Sequence, residues 1–95
     1  MAKIVKENGY LNYSIEDDEV VIDLVEVYTK RTGTGSELVR ELINWAREND
    51  YSSIGLCAYP QDDSITLESL VKFYDKLGFD VDYDDGNEVL MSYSL

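Results

Sequence analysis

Two glycines, Gly33 and Gly35, lie between an apolar run and a long amphipathic pattern, within residues 20–49. The apolar run predicts a strand and the amphipathic pattern predicts a helix. A glycine-bearing turn that opens into a helix directs several backbone N–H groups, and the positive end of the helix dipole, at one point. Without side chains, the two glycines also let a diphosphate approach the backbone closely. The sequence therefore predicts a phosphate site at the start of this helix.

The residues that would form this phosphate site lie between Lys30 and Ser36. Lys30 and Arg31 contribute two of the eight positive charges of the chain, and the residues from Arg31 to Ser36 can offer successive N–H donors. The candidate set is Lys30, Arg31, Thr32, Gly33, Thr34, Gly35 and Ser36.

Two carboxylates, Asp23 and Glu26, interrupt the apolar run from Val20 to Val27. Such a run is typical of a central strand covered on both faces. A buried carboxylate is unfavourable unless it is paired, exposed at a strand end or used in chemistry. Strict strand alternation predicts that Asp23 and Glu26 lie on opposite faces, with Asp23 on the face of Val25 and Val27. Either carboxylate could serve as a general base, and a structural charge paired with a basic residue stays an alternative for both.

The surrounding pattern predicts an α/β domain with a mixed sheet of about six strands and two main helices. The order is β-β-β-α-β-α-β-β, and the long helix after Gly35 makes the strands on either side of it parallel. Asn8-Gly9 and Asp85-Gly86 are hairpin signals, and Gly78 is expected to end the second helix. No repeat, linker or low-complexity tract interrupts the pattern, so we predict one domain over residues 1–95.

Composition restricts the function classes. Eight basic and twenty acidic residues give a net charge of −12, which disfavours direct binding to nucleic acid or an anionic membrane and favours cationic partners. The chain has no histidine and one cysteine, Cys57, so a zinc site, a Cys–His nucleophile or a disulfide framework is not expected. We expect neither a signal peptide nor a membrane span, and a cytoplasmic location.

Two motifs resemble the signatures of the GNAT acetyltransferases. The segment K-R-T-G-T-G, from Lys30 to Gly35, is similar to their acyl-CoA loop, and F-Y-D-K-L-G-F, from Phe73 to Phe79, is similar to their second signature, a tyrosine followed four residues later by Gly-Phe. The resemblance covers Gly9 to Met91. It implies a minimal GNAT acyl-CoA N-acyltransferase fold, acetyl-CoA as co-substrate and no metal.

The resemblance also implies roles for individual residues. In the family, the pantetheine arm pairs with free backbone groups of the central strand, and Val25, Glu26 and Val27 occupy the matching positions. Tyr74 matches the tyrosine that protonates or hydrogen-bonds the coenzyme A sulfur. A backbone N–H near Val27 could stabilise the oxyanion. Family members with a strand glutamate as base favour Glu26, and Asp23 stays an alternative.

Two departures from the family pattern bear on the substrate. Leu67 replaces the asparagine that usually lies seven residues before the signature tyrosine, so one coenzyme contact is missing or comes from residues 61–64. The usual first strand and helix pair, which enclose the acceptor, are also missing. An open, acidic acceptor side favours a lysine on a folded protein over a small amine. A second copy of the chain could supply the missing wall, so a homodimer stays open.

A second resemblance is to phage-encoded anti-CRISPR acetyltransferases directed against type V-A nucleases. It rests above all on A-Y-P-Q-D-D-S-I, from Ala58 to Ile65. It implies that the substrate is the lysine with which a type V-A Cas nuclease of the bacterial host reads the PAM, and that acetylation blocks DNA binding. Two alternatives remain: a GNAT enzyme with another cationic acceptor, such as a polyamine or a ribosomal protein, and a non-enzymatic acidic DNA mimic.

Overall fold

A computed structural model describes residues 2–29, 32–60 and 65–95 of the chain. Its six strands form one mixed sheet in the order β1-β2-β3-β4-β6-β5, in which β3 and β4 are parallel and all other neighbours antiparallel. The strands are β1 (Ala2–Lys6), β2 (Gly9–Glu16), β3 (Glu19–Val27), β4 (Ser53–Ala58), β5 (Asp80–Asp84) and β6 (Val89–Ser94). The predicted element order and the parallel central pair are confirmed.

Two helices pack on this sheet. Helix α1 (Thr34–Glu48) buries an apolar stripe that includes Leu38, Leu42 and Ala46, and it provides the crossover between β3 and β4. Helix α2 (Leu67–Lys76) begins at Thr66, whose hydroxyl accepts a hydrogen bond from the Ser69 N–H at 3.1 Å. Gly78, at φ +103°, follows the end of α2 as the sequence predicted. Residues 61–64, named above as a possible source of a coenzyme contact, lie outside the described ranges.

Both helices lie on the same face of the sheet. Within the described residues, the buried strand side chains, which include Leu11, Val20, Ile54 and Met91, all project toward that face. The other face, here called the open face, carries Tyr10, Asn12, Ser14, Val21, Leu24, Glu26 and Cys57, none of which is buried. The expectation that β3 is covered on both faces is therefore wrong, because its apolar run comes partly from residues that a helix layer does not cover.

A β-bulge at Asp23 changes the parity of β3. Tyr13 pairs with Ile22 and Asn12 pairs with Leu24, so Asp23 is an extra residue without a partner on β2. The Ser14 hydroxyl, on the open face, donates a hydrogen bond to the Asp23 carboxylate. Because Glu26 pairs with Tyr10, it also lies on the open face. The prediction that Asp23 and Glu26 lie on opposite faces is thus wrong, since strict alternation assumes a strand without a bulge.

Strands β3 and β4 separate immediately before this bulge. Their last pair is Ile22 with Leu56, after which β3 continues to Val27 alongside β2 alone and β4 continues to Ala58 alongside β6. The edge of β3 from Asp23 to Val27 therefore has no strand partner on the β4 side within the described part of the chain. No helix in the described ranges is long and apolar enough to cross a bilayer.

Candidate active site

The separation of β3 and β4 creates a cleft between the two central strands. Helix α2 borders the cleft on the covered side of the sheet, and the other end of the cleft reaches the open face. Its lining residues are Ile22, Asp23, Leu24, Val25, Leu56, Cys57, Ala58, Tyr59, Leu70 and Tyr74. The cleft thus connects the two sides of the sheet at the point where Asp23 bulges out of β3.

Tyr74 is the buried titratable residue of the cleft. Its side chain is 5% exposed and its ring packs edge-on against Phe73 and Phe79, with centroids 5.0 and 5.5 Å away. Burial raises the pKa of Tyr74 to about 12, because a phenolate would lose its hydration there. The phenol is therefore a hydrogen-bond donor throughout the physiological pH range. This is the protonation state that contact with a leaving sulfur requires.

The two candidate bases differ in their position relative to the cleft. Asp23 lines it, and the Ser14 hydroxyl orients the Asp23 carboxylate. Glu26 lies three residues further along β3, opposite Tyr10 on the open face, and does not line the cleft. Of the two carboxylates, Asp23 is the one that shares the cleft with Tyr74.

The start of α1 has the features of an anion site. Gly33 precedes the helix with φ +84°, and no described side chain caps the helix there. A Cβ on Gly33 would meet nothing within 4 Å, so the space beside its Cα is open. At Gly35 a Cβ would lie 3.3 Å from the Phe73 ring, so this glycine also permits close packing between α1 and α2. Lys30 and Arg31, the predicted basic residues, lie outside the described ranges.

The predicted coenzyme-binding strand connects these two regions. A Cβ on Gly35 would lie 3.6 Å from the Val27 side chain, so Val27 adjoins the start of α1. The bulge at Asp23 is four residues away along β3, or about 13 Å. Val25 lines the cleft, whereas Glu26 and Val27 do not. The structure therefore brings Asp23, Val25 and Tyr74 together and leaves the glycine turn at the other end of the strand.

Among the lining residues that sequence reasoning did not assign to the site, Cys57 and Tyr59 carry titratable side chains. Cys57 is exposed on the open face and its thiol donates to Glu88 Oε2 at 3.4 Å. Partial burial, followed by the hydrogen bond and negative charge of Glu88, raises the pKa of Cys57. The available signal was the predicted parallel pairing of β3 and β4, since it places the end of β4 beside the carboxylates of β3.

Leu67, which replaces the usual family asparagine, is partly buried and packs against the core. Within the described ranges, no group of three or more histidine, cysteine, aspartate or glutamate side chains is arranged to hold a metal ion.

Comparison with solved structures identifies similar proteins. The chain is 52% identical to the anti-CRISPR protein AcrVA5, with 98% of this chain and 97% of that chain covered and a TM-score of 0.87. Two acetyltransferases share the fold at lower identity. PaiA N-acetyltransferase from Thermoplasma acidophilum, in complex with coenzyme A, is 18% identical, with a TM-score of 0.76 and 93% of this chain and 54% of that chain covered. An acetyltransferase from Bacillus cereus is 19% identical, with a TM-score of 0.81 and coverages of 99% and 72%.

The chain thus spans nearly the whole of AcrVA5 but only 54% and 72% of these two larger acetyltransferases. No family model matches the sequence, and no curated protein does either. The GNAT resemblance of the two sequence motifs is confirmed by the fold, with its six-stranded mixed sheet and two helices. The chain belongs to the family of the anti-CRISPR protein AcrVA5 and has the fold of the GNAT N-acetyltransferases.

Proposed function

We propose that this protein is an acetyl-CoA-dependent protein lysine N-acetyltransferase and a phage anti-CRISPR protein. In this proposal it acts in the cytoplasm of the bacterial host and acetylates the PAM-reading lysine of a type V-A Cas nuclease, which blocks DNA binding. The observation that carries the enzymatic part is the cleft between β3 and β4, which both Asp23 and Tyr74 line, beside an unpaired strand edge.

The chain's own residues fit coenzyme A. The uncapped start of α1, with open space at Gly33, can accept a diphosphate on its N–H groups. The edge of β3 from Asp23 to Val27 can hydrogen-bond an extended arm as a neighbouring strand would. An arm that follows this edge for about 13 Å from Val27 ends at the bulge. The thioester would then lie near the bulge, so the backbone N–H of Leu24 or Val25 is a better candidate for the oxyanion donor than one near Val27.

Acetyl-CoA supplies an activated acetyl group as a thioester. Tyr74 donates a hydrogen bond to the departing sulfur, and its raised pKa favours hydrogen bonding over complete proton transfer, since a thiol near pKa 8.5 is the stronger acid. The phenol lowers the barrier by stabilising negative charge as the C–S bond breaks.

The proton of the attacking amine is assigned to Asp23, directly or through one water. The lysine nitrogen forms the new C–N bond, its proton passes to the carboxylate, and coenzyme A leaves with the sulfur. We favour Asp23 over Glu26 because Asp23 lines the cleft and is oriented by Ser14. Glu26, further along the strand, contributes negative charge near the acceptor.

The open face fits a cationic acceptor. Strand register or contact places five carboxylates on this face. Lys3 is a basic residue on the same face, and its Nζ lies 4.6 Å from the centroid of the Tyr10 ring. The carboxylates are Glu16, Glu19, Asp23, Glu26 and Glu88. Because no helix of the described residues covers this face, a lysine on the surface of a large protein can reach the cleft from this side.

The identity of the acceptor is proposed from the relative. AcrVA5 is named an anti-CRISPR protein, and this chain matches it over nearly its full length. A PAM-reading lysine loses its charge and hydrogen-bond donors on acetylation, and one enzyme can inactivate many nuclease molecules.

The test is to incubate the purified chain with labelled acetyl-CoA and a type V-A nuclease, and to map the label by peptide mass spectrometry. We expect one added acetyl group on a PAM-contacting lysine and loss of DNA binding at sub-stoichiometric amounts of the chain. Tyr74→Phe should slow the labelling while binding of coenzyme A, measured by calorimetry, is retained.

The alternatives give different results in the same experiment. Inhibition that needs equimolar protein, fades with salt and ignores acetyl-CoA would support a DNA mimic instead. Labelling of polyamines or a ribosomal protein, with none on the nuclease, would keep the enzyme but reject the anti-CRISPR target.

A further inference from the structure

Asn8 lies in the turn between β1 and β2 and contacts both ends of the segment that joins β3 to α1. Its backbone carbonyl accepts from the Tyr28 N–H at 2.9 Å, and its side-chain Oδ1 accepts from the Thr29 N–H at 2.8 Å. Its Nδ2 donates to the Thr29 carbonyl at 2.9 Å. The Asn8 amide therefore pairs with both backbone groups of Thr29, as the next peptide group of a strand would.

The same Nδ2 also reaches the far end of the segment. It lies 2.8 Å from Thr32 Oγ1 and 3.0 Å from Thr34 Oγ1, and the two hydroxyls are 3.0 Å from each other. Thr34 is the first residue of α1 and is 8% exposed, so its hydroxyl needs a partner. One amide thus links the last residues after β3 to the first residue of α1.

This linkage adjoins the N–H groups at the start of α1, because Thr32 and Thr34 flank Gly33. Gly33 adopts a left-handed backbone conformation. Because glycine has no Cβ, this is only one of many conformations open to it. No described side chain caps the helix to restrict it. Asn8 contacts Thr32 and Thr34, the residues on either side of Gly33, and such contacts reduce the entropy that ligand binding would otherwise cost.

We propose that Asn8 is a positioning residue that pre-organises the diphosphate site for acetyl-CoA. It acts through Thr29, Thr32 and Thr34 and does not contact the reacting atoms. This inference rests on the proposed function, because it requires that the start of α1 receives the coenzyme diphosphate.

The first experiment measures coenzyme A binding to Asn8→Ala by calorimetry and the rate with two acetyl donors. We expect Kd for coenzyme A and KM for acetyl-CoA to rise about tenfold, the effect of roughly 1.4 kcal/mol of lost hydrogen bonding. At saturating acetyl-CoA, kcat should be retained, since Asn8 is remote from Tyr74 and Asp23. With S-acetyl-pantetheine, which lacks the diphosphate, kcat/KM should be unchanged.

Asn49→Ala is the matched control, because the Asn49 amide also makes a structural hydrogen bond, to the Trp45 carbonyl at 2.8 Å, but at the other end of α1. Asn49→Ala should leave Kd for coenzyme A and the rates with both acetyl donors unchanged. Thr32→Val keeps Asn8 and removes one of its partners, so its effect on Kd should be smaller and should not add to that of Asn8→Ala.

Each other outcome overturns a different statement. If the wild-type chain binds coenzyme A and Asn8→Ala binds it equally well, the role of Asn8 is rejected and the enzyme proposal stands. If Asn8→Ala loses rate equally with both donors, Asn8 serves the fold and not the diphosphate site. If the wild-type chain binds no coenzyme A, both proposals fail.

Discussion

Gly33 and Gly86 offer a direct test of the diphosphate site. Both are exposed and have left-handed backbones, at φ +84° and +89°, and a Cβ on either one would meet nothing within 4 Å. Gly33 precedes α1, whereas Gly86 lies in the connection between β5 and β6. Replacement by alanine therefore introduces a similar local strain at both positions, and only one of them adjoins the proposed coenzyme site.

The size of the stability effect follows from the backbone angles. A left-handed alanine is less favourable than glycine by about 1–2 kcal/mol, and the loss of freedom in the unfolded chain offsets about 0.4–1 kcal/mol of this. The net change in the free energy of unfolding is then about 1 kcal/mol for Gly33→Ala and for Gly86→Ala. In a domain of this size it lowers Tm by roughly 4–8 °C, which thermal unfolding followed by circular dichroism can measure.

The effect on coenzyme A binding should separate the two variants. The new methyl group at residue 33 would occupy the space through which a diphosphate approaches the N–H groups of α1. We expect Gly33→Ala to weaken coenzyme A binding more than tenfold by calorimetry, or by over about 1.4 kcal/mol. Gly86→Ala should bind coenzyme A as the wild type does. Equal Kd values for all three proteins, with both variants folded, would refute the diphosphate site at α1.

Four further predictions concern the cleft. Tyr74→Phe should lower kcat about a hundredfold at saturating acetyl-CoA. The pKa of Tyr74 is raised from 10.0 to about 12 in the folded chain. The stabilisation linked to its neutral form is therefore complete below pH 10 and disappears between pH 10 and 12. In that interval the free energy of unfolding should fall more for the wild type than for Tyr74→Phe. Asp23→Asn should reduce kcat/KM for the amine about a hundredfold, whereas Glu26→Gln should have a much smaller effect; a larger loss in Glu26→Gln would reverse our assignment. Cys57 should react slowly with iodoacetamide at pH 7, because burial and Glu88 raise its pKa. Bound acetyl-CoA should slow the reaction further, because Cys57 lines the cleft. Fast labelling that does not change with acetyl-CoA would contradict the cleft as the coenzyme site.

The sequence predicted the elements with strong local patterns. The apolar stripe of α1, the Gly78 stop and the Asp-Gly hairpin each depend on residues close together in the chain, and all appear within a few residues of their expected bounds. The two GNAT motifs predicted the fold. The segments from Lys30 to Gly35 and from Phe73 to Phe79 are separated by enough residues for one helix and one strand, which are α1 and β4 in the structure.

Long-range features were harder to predict. The role of Asn8 depends on hydrogen bonds to residues 21 to 26 positions away, whereas the Asn8-Gly9 dipeptide predicts only a local turn. The threonines at positions 32 and 34 were a usable signal, since two closely spaced hydroxyls beside a glycine turn favour a shared hydrogen-bond partner. The open face was also unexpected for β3, because an apolar run does not reveal whether a second helix layer is present.

The bulge at Asp23 explains why strand alternation predicted the wrong geometry for the base. A bulge lets β3 stay paired with β2 through Val27 and turn away from β4 after Ile22. The same extra residue gives Asp23 no partner on β2 and places its carboxylate on the open face, beside Ser14. One inserted position therefore helps to open the cleft, frees the strand edge and directs a carboxylate toward the side from which a protein lysine can approach. Removing Asp23 by deletion, unlike Asp23→Asn, should close the cleft and abolish coenzyme A binding together with activity.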